Sequence, residues 1–274
     1  MKPDQMLKGG SLVRTNLKSL ALALSLVGAA CGVPTYAATV AGHIDLIAGE
    51  VRIEDVQGRS RTPKVNDMVQ EGDTIVTARD GELHVHMEDE AYMAVRPNTR
   101  LKIANYVAQG GADDHAIVSL IFGTFRSVTG WIGKHYAKNY QIQTPTMTIG
   151  IRGTDHEPLV IPEPQPGQKP IGEPGTYDKV NSGSTFIEAP NGRVNVEAGQ
   201  TAFAPKDAKK KPQLMSKVPD FYQPTKNEKL IEQRTHELRE HLDKKMDERR
   251  KSHQETSEEH RAAKTHHVRR HRHH

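Results

Sequence analysis

The 274-residue sequence predicts an all-β fold of many short strands, and three observations carry that prediction. From Val40 onward apolar residues recur with period two; in Leu83-His84-Val85-His86-Met87 the apolar side chains face one way and the two histidines the other. Turn residues such as Arg96-Pro97-Asn98-Thr99 punctuate these runs at spacings of about 8 to 12 residues, which suits a sandwich, a barrel or a β-solenoid rather than a parallel sheet covered by helices. Hydrophobic residues make up 35% of the chain and aromatics 5%. The core must therefore be layered from Val, Ile, Leu and Met.

The chain opens with Lys2, Lys8, Arg14 and Lys18 against a single acid, Asp4, a positive segment followed by the apolar run Leu20 to Gly32. That run holds about 13 residues, short of the roughly 20 that a stable membrane span needs. Pro34 ends it, and Thr35-Tyr36-Ala37 offers small residues to a signal peptidase. Residues 1–37 thus read as a secretory signal peptide cleaved after Ala37, with Ala38 as the neighbouring option, and the mature protein is expected in the periplasm or outside the cell, with no transmembrane span. Ala29-Ala30-Cys31-Gly32 also resembles part of a lipobox, with Gly28 where leucine is usual, so a lipoprotein attached at Cys31 is the lesser alternative. Cys31 is the only cysteine. After cleavage no thiol remains for a disulfide, a metal or nucleophilic attack.

Next comes a β region over residues 38–205. Gly42 to Thr77 reads as a small β module, with glycine where the chain turns sharply. Leu83 to Met87 is followed by Ala91, Met93 and Val95 on one face, and after the turn at Pro97 by Leu101, Ile103 and Asn105. Residues 158–174 hold six prolines and are expected to form an exposed polyproline-like loop rather than strand.

Gly72-Asp73-Thr74-Ile75-Val76-Thr77, Asp80-Gly81 and Arg96-Pro97-Asn98-Thr99 resemble the opening half of a FecR domain, the family named for the periplasmic sensor of ferric-citrate uptake. Gly123-Thr-Phe-Arg126-Ser-Val-Thr129-Gly130, Thr144-Pro145-Thr146-Met147-Thr148-Ile149-Gly150-Ile151-Arg152-Gly153-Thr154 and Gly192-Arg-Val-Asn-Val-Glu-Ala-Gly199-Gln200 resemble the rest, in the family's order and at similar spacing. The resemblance covers about Val40 to Pro205 and implies a β-solenoid or sandwich-like FecR-type domain with a signalling or protein-binding role. Resemblance to the founding regulator would also imply a cytoplasmic anti-sigma segment and a single membrane span; with only the expected signal peptide before the domain, the chain departs from that pattern and looks like a stand-alone exported member. Asp89-Glu90-Ala91 departs from the family's usual Asp-Gly-Ser by losing a turn glycine.

The motif residues Arg126, Thr144, Pro145, Gly150, Arg152, Gly153 and Thr154 are candidates for a partner contact or a structural role. Thr144 to Thr154 lacks the packed glycines and the Lys-Ser/Thr pair of a phosphate loop. Pro145 instead starts an extended segment, Gly150 and Gly153 permit close approach or a kink, and Arg152 is free for an ion pair or a partner. Asp155-His156-Glu157 holds three potential metal ligands, but neighbouring strand residues face opposite ways, so at most the outer two converge; a solvated strand end is the expectation. His84 and His86 share a face about 7 Å apart, within reach of a metal given a third ligand, and are expected as outward polar residues. No Gly-x-Ser-x-Gly elbow or His-Glu-x-x-His motif is present, and neither catalytic residues nor a cofactor are expected.

The net charge of +4 hides two opposite excesses: residues 38–205 carry about 6 negative and residues 206–274 about 7 positive. A basic tail behind an acidic domain argues against specific nucleic-acid binding. Residues 206–224 read as a Lys- and Pro-rich linker. Residues 225–250 form a charged helix, capped by Thr225 and Glu228 and solvated or transiently docked; residues 251–274 form a disordered tail rich in His and Arg. His266, His267, His271, His273 and His274 are the candidate metal ligands, and the tail's alternative role is contact with anionic lipid or polymer. The resulting expectation is a non-catalytic envelope protein that binds or signals to another envelope protein, with a structural, polymer-binding or metal-binding role as the alternative. Intact mass of the native protein should place its first residue at Ala38; a lipidated Cys31 or an uncut chain would overturn the export reading.

Overall fold

The computed structural model describes residues 39–244 and 247–248, so the expected signal peptide, Cys31 and the tail histidines from His266 to His274 lie outside the described residues. In chain order come β1 (Val40–Ala48), β2 (Val51–Glu54), β3 (Ser60–Arg61), β4 (Met68–Gln70), β5 (Thr74–Thr77), β6 (Glu82–Met87), β7 (Tyr92–Val95), β8 (Thr99–Val107) and β9 (His115–Val128). A short helix, α1 (Trp131–His135), leads to β10 (Tyr140–Gln143), β11 (Thr148–Ile161), β12 (Gly175–Ala189), β13 (Gly192–Glu197), β14 (Thr201–Pro205) and β15 (Gln213–Leu214). A second helix, α2, occupies residues 228–244. The fold is all-β apart from these helices and a single 3-10 turn, and its fifteen strands join one sheet that is not closed into a barrel.

The long strand β9 is the spine of this sheet. On one side its first half pairs with β8 and its second half with β7; on the other, β10 lies parallel to the first half and β11 antiparallel to the second. β12 does the same one strand further out, holding β13 along Ser184 to Ala189 and β14 along Gly175 to Lys179. A strand that changes neighbours midway must bend, and glycines in the left-handed region mark the bend. Gly153 (φ +59°) and Gly183 (φ +76°) face each other where the β11–β12 register slips between Arg152 and His156. A Cβ on Gly183 would sit 2.3 Å from the Gly153 carbonyl oxygen.

The period-two apolar side chains of both halves meet in one cluster. It includes Ile53, Ile75 and Leu101 from one branch, Ile44, Val85 and Met93 from the other, and Ile142, Ile149, Val180 and Ile187 from the later strands. Aliphatic residues dominate it, as a chain poor in aromatics requires. At the β6–β7 turn Glu90 stands where a glycine would be easiest and adopts φ +60°, a conformation that costs an L-residue about 1 to 2 kcal/mol.

Three features differ from the sequence expectations. The proline-rich loop begins at Pro162, because Pro158 to Ile161 are the buried end of β11. Pro158 stands opposite Asp178, and on the other side pairing with β9 passes from His156 to Leu159, so a residue without an N–H is tolerated there. Residues 206–224 are no free linker: β15 extends β14, Phe221 packs edge-on against Tyr177 at 5.0 Å, and the Tyr222 hydroxyl donates to the Glu157 carbonyl at 3.1 Å. These anchors follow no period, which hid them from a pattern search. The helix is docked rather than solvated, with Ile231 fully buried against Tyr92, Ala94 and Val128 and Leu242 in the main core.

Replacing Gly183 with alanine sets a left-handed backbone and a backbone clash against the new Cβ. A loss of about 2 to 3 kcal/mol in urea unfolding is expected; a neutral result would show that the bend is not needed.

Candidate functional site

Strand alternation gives the sheet two faces, and the one away from the main core is charged. Glu82 and His84 on β6 point to it, as do Tyr92 on β7, Arg126 on β9, Asp155 and Glu157 on β11, and Lys179 and Asn181 on β12. The sequence reading had His84 facing water, yet it is fully buried, and only His86 is exposed. The strand end Asp155-His156-Glu157, expected to be solvated, is also buried. For His84, Asp155 and Glu157 the reason is the same: α2 and the segment before it cover this face, whereas His156 is buried on the other.

Two networks fill the interface. In the first, His84 Nε2 meets Glu82 Oε1 at 2.7 Å and its Nδ1 meets the Tyr92 hydroxyl at 2.9 Å. That hydroxyl donates to Asp45 Oδ2 at 2.9 Å, and Arg234 of α2 reaches Asp45 at 3.2 Å. Glu82 accepts as a carboxylate and Tyr92 donates onward, so the chain is complete when both nitrogens of His84 donate. Thr225 Oγ1 and Asn227 Nδ2 donate to Glu82 at 3.1 and 3.0 Å. Burial pushes the Glu82 carboxyl up, but these donors, led by His84, hold it below its ordinary value.

The second network is ionic. Arg126 grips Asp155 with two hydrogen bonds of 2.9 and 2.8 Å and reaches Glu228 of α2 at 2.8 Å. Arg96 binds Glu157 at 2.8 Å and the other Glu228 oxygen at 3.1 Å. Lys179 reaches Glu157 at 2.6 Å, Asn181 bridges Asp155 and Glu157 at 3.1 Å each, and Arg239 of α2 reaches Asp155 at 3.3 Å. Burial raises Asp155 and Glu228, yet Arg126 brings Asp155, and Arg96 brings Glu228, below the usual carboxylate range. Burial lowers Arg126, and Asp155 more than offsets it. Arg96 Nε is buried with no hydrogen-bond partner among the described residues.

Glu228 therefore serves two structures. Its carboxylate accepts the Thr225 N–H at 3.2 Å, the reciprocal half of the expected capping box, while Thr225 Oγ1 accepts from the Asn227 N–H at 3.3 Å. The same carboxylate bridges Arg96 and Arg126. Helix start and helix docking are one event.

Among the motif residues, only Arg126 belongs to this face. Thr144 Oγ1 closes a turn on the Met147 carbonyl at 2.9 Å, with Pro145 exposed beside it. Gly150 lies under the Phe186 ring, whose nearest atom would be 2.0 Å from a Cβ. Gly153 forms the bend, Thr154 Oγ1 ties β11 to the Ser184 carbonyl at 2.7 Å, and Arg152 is exposed without an ion pair among the described residues. Asp155 and Glu157 converge, as outer residues of a triplet can, but on Arg126, Arg96 and Asn181. On the opposite face His156 Nδ1 meets Asp178 at 2.7 Å. No group of three or more His, Cys, Asp or Glu side chains is arranged to hold a metal among the described residues. The sequence reading gave Asp45 and Glu82 no role, Arg96 only a turn and Glu228 only a helix cap; the one local signal among them was Glu82 with His84 two residues on, which places both on one face of β6.

These carboxylates make stability depend on pH. Asp155, Glu228 and Glu82 are depressed, so their contribution is complete above their unfolded values, up to 4.5, and is lost as pH falls through the lower folded values. Asp89 acts oppositely: full burial pushes it up to about 6, so stability is lost as pH rises from 3.8 through 6. The urea midpoint should rise as pH is lowered from 7 to about 5 and fall steeply below about 4, and Asp89→Asn should abolish only the first arm. Arg126→Ala, which strands Asp155, should cost about 3 to 5 kcal/mol; a loss under about 1 kcal/mol would mean the pair is effectively solvated.

Comparisons with known proteins complete the description. No curated protein matches the chain. Among solved structures, two crystal structures of a candidate anti-sigma factor from Parabacteroides distasonis share 9% and 10% identity, cover 53% of this chain and 60% of theirs, and give TM-scores of 0.41 and 0.42. The chain thus spans about 60% of the length of those structures. A structure described as a cell surface anchoring domain shares 21% identity over 23% of this chain and 82% of its own, with a TM-score of 0.22. Likenesses this distant carry no functional argument. Residues 73–164, which run from the start of β5 to just past β11 and hold Arg96, Arg126, Asp155 and Glu157, match the family described as FecR protein, and the chain carries a FecR domain there.

Proposed function

We propose that this protein is a non-catalytic, exported signalling or protein-binding module of the bacterial envelope, in which the FecR domain receives a partner and helix α2 is the element that responds. The observation that supports the reading is the way α2 is held. Its apolar anchors are few, Ile231 and Leu242 buried and Leu238 partly so, whereas Glu228, Arg234, Arg239 and Asp243 all form ion pairs to the sheet or to α1. An element fastened by charge can be released by a competing charge without exposing a large apolar surface, which is the property of a two-state switch. The periplasm, or the space outside the cell, follows from the signal segment read in residues 1–37.

Glu228→Lys puts a cation against Arg96 and Arg126. Hydrogen exchange should show α2 losing protection while β9 and β11 keep theirs, and cross-linking in cells should change the set of envelope proteins captured by the FecR domain. Release of α2 with an unchanged captured set would remove it from the mechanism.

A further inference from the structure

Strand β13 has one neighbour. Its register with β12 runs from Ser184–Glu197 to Ala189–Gly192, and no other strand pairs with it among the described residues. The later chain approaches it at its beginning, where Asn191 Nδ2 donates to the Ala208 carbonyl and a Cβ on Gly192 would lie 3.4 Å from Pro212, and β14 and β15 lie near it without hydrogen-bonding to it. From Arg193 to Glu197 no described strand is hydrogen-bonded to the outer edge. Natural edges are commonly blocked by proline, lysine, a bulge or a run of like charge. The sequence Gly192-Arg-Val-Asn-Val-Glu197 has none of these. Arg193, Asn195 and Glu197 are exposed on one face, with Val194 partly and Val196 fully buried on the other.

This edge is complementary to itself. When two copies lie antiparallel about a two-fold axis through Asn195, Arg193 falls opposite the second copy's Glu197 and the reverse, Val194 falls opposite Val196, and Asn195 meets Asn195. Shifting the centre to Val194 or Val196 puts Arg193 opposite Asn195 or the turn glycine Gly199, so one register satisfies both charges. Neither Arg193 nor Glu197 has an ion pair to another described residue; Arg193 stacks on Phe186 at 3.8 Å, which holds its guanidinium at the strand. We propose that β13 is the seam of a symmetric homodimer in which two sheets join edge to edge in this register. The inference goes beyond the proposed function and does not depend on α2.

The test uses the full chain with Cys31→Ser, followed by sedimentation equilibrium. The parent should dimerise with a dissociation constant in about the micromolar range. Arg193→Glu and Glu197→Arg should each weaken the dimer at least tenfold by placing like charges opposite each other, and the double variant should restore it to within about threefold. Asn195→Cys should oxidise to an intermolecular disulfide because the residue faces itself across the axis, whereas Arg193→Cys should not. Arg193, Asn195 and Glu197 are exposed, and circular dichroism checks that each variant folds. A monomeric parent, or a dimer indifferent to the charge reversals, would overturn the proposal; so would a disulfide forming equally at both cysteine positions.

Discussion

Glu228 between Arg96 and Arg126 is the contact on which the arrangement of this protein turns. A buried guanidinium with no anion is among the most expensive objects a fold can contain, and a carboxylate in the same position is no better. Arg126 has Asp155 and Arg96 has Glu157, yet each guanidinium still presents hydrogens toward the helix side. One carboxylate from α2 bridges both, and because it also accepts the Thr225 N–H, it can do so only where the helix begins. The position of the helix follows from chemistry of the sheet laid down about 100 residues earlier in the chain.

The charged face exists because three long strands cross the sheet. β9, β11 and β12 each serve two sets of neighbours, so the charges of the second half, Arg126, Asp155, Glu157 and Lys179, are drawn together while the first half keeps packing aliphatic side chains. The Gly153–Gly183 approach lets β11 and β12 bend together. The register is the same before the bend, Arg152 with Ser184, as after it, His156 with Val180, so both strands change alternation together: Ile149 and Ile151 face the main core before it and Val160 after it. The turn at Glu90 shows the same economy in reverse. Its strained backbone carries a side chain that reaches His86 at 3.0 Å and, at 3.7 Å, His241 of α2.

Some of this was legible in the sequence. Alternation at Leu83, Val85 and Met87, at Met93 and Val95, and at Leu101 and Ile103 identified core-facing residues, because a strand's period is a local property. The glycines at 150 and 153 announced close approach, and Thr225 with Glu228 announced a helix start. What alternation could not convey was whether the second face meets water. His84 and Glu157 read as outward polar residues and are outward from the main core, yet they are buried, since the cover comes from residues 222–244. Nor did Pro158 reveal itself as strand, because tolerance of a missing N–H depends on which side of the ladder is empty.

The sequence by itself determined the all-β class, the aliphatic composition of the core, the spacing of the strands and the motifs by which the FecR domain is recognised, all of which rest on interactions between near neighbours. Tertiary structure alone decided that the polar face is closed, that the helix is docked by charge, and that Glu82, Asp155 and Glu157 are buried carboxylates rather than solvated ones. The reason is that pairing and desolvation are set by distance in space: Arg126 and Glu228 are 102 residues apart along the chain and 2.8 Å apart in the fold.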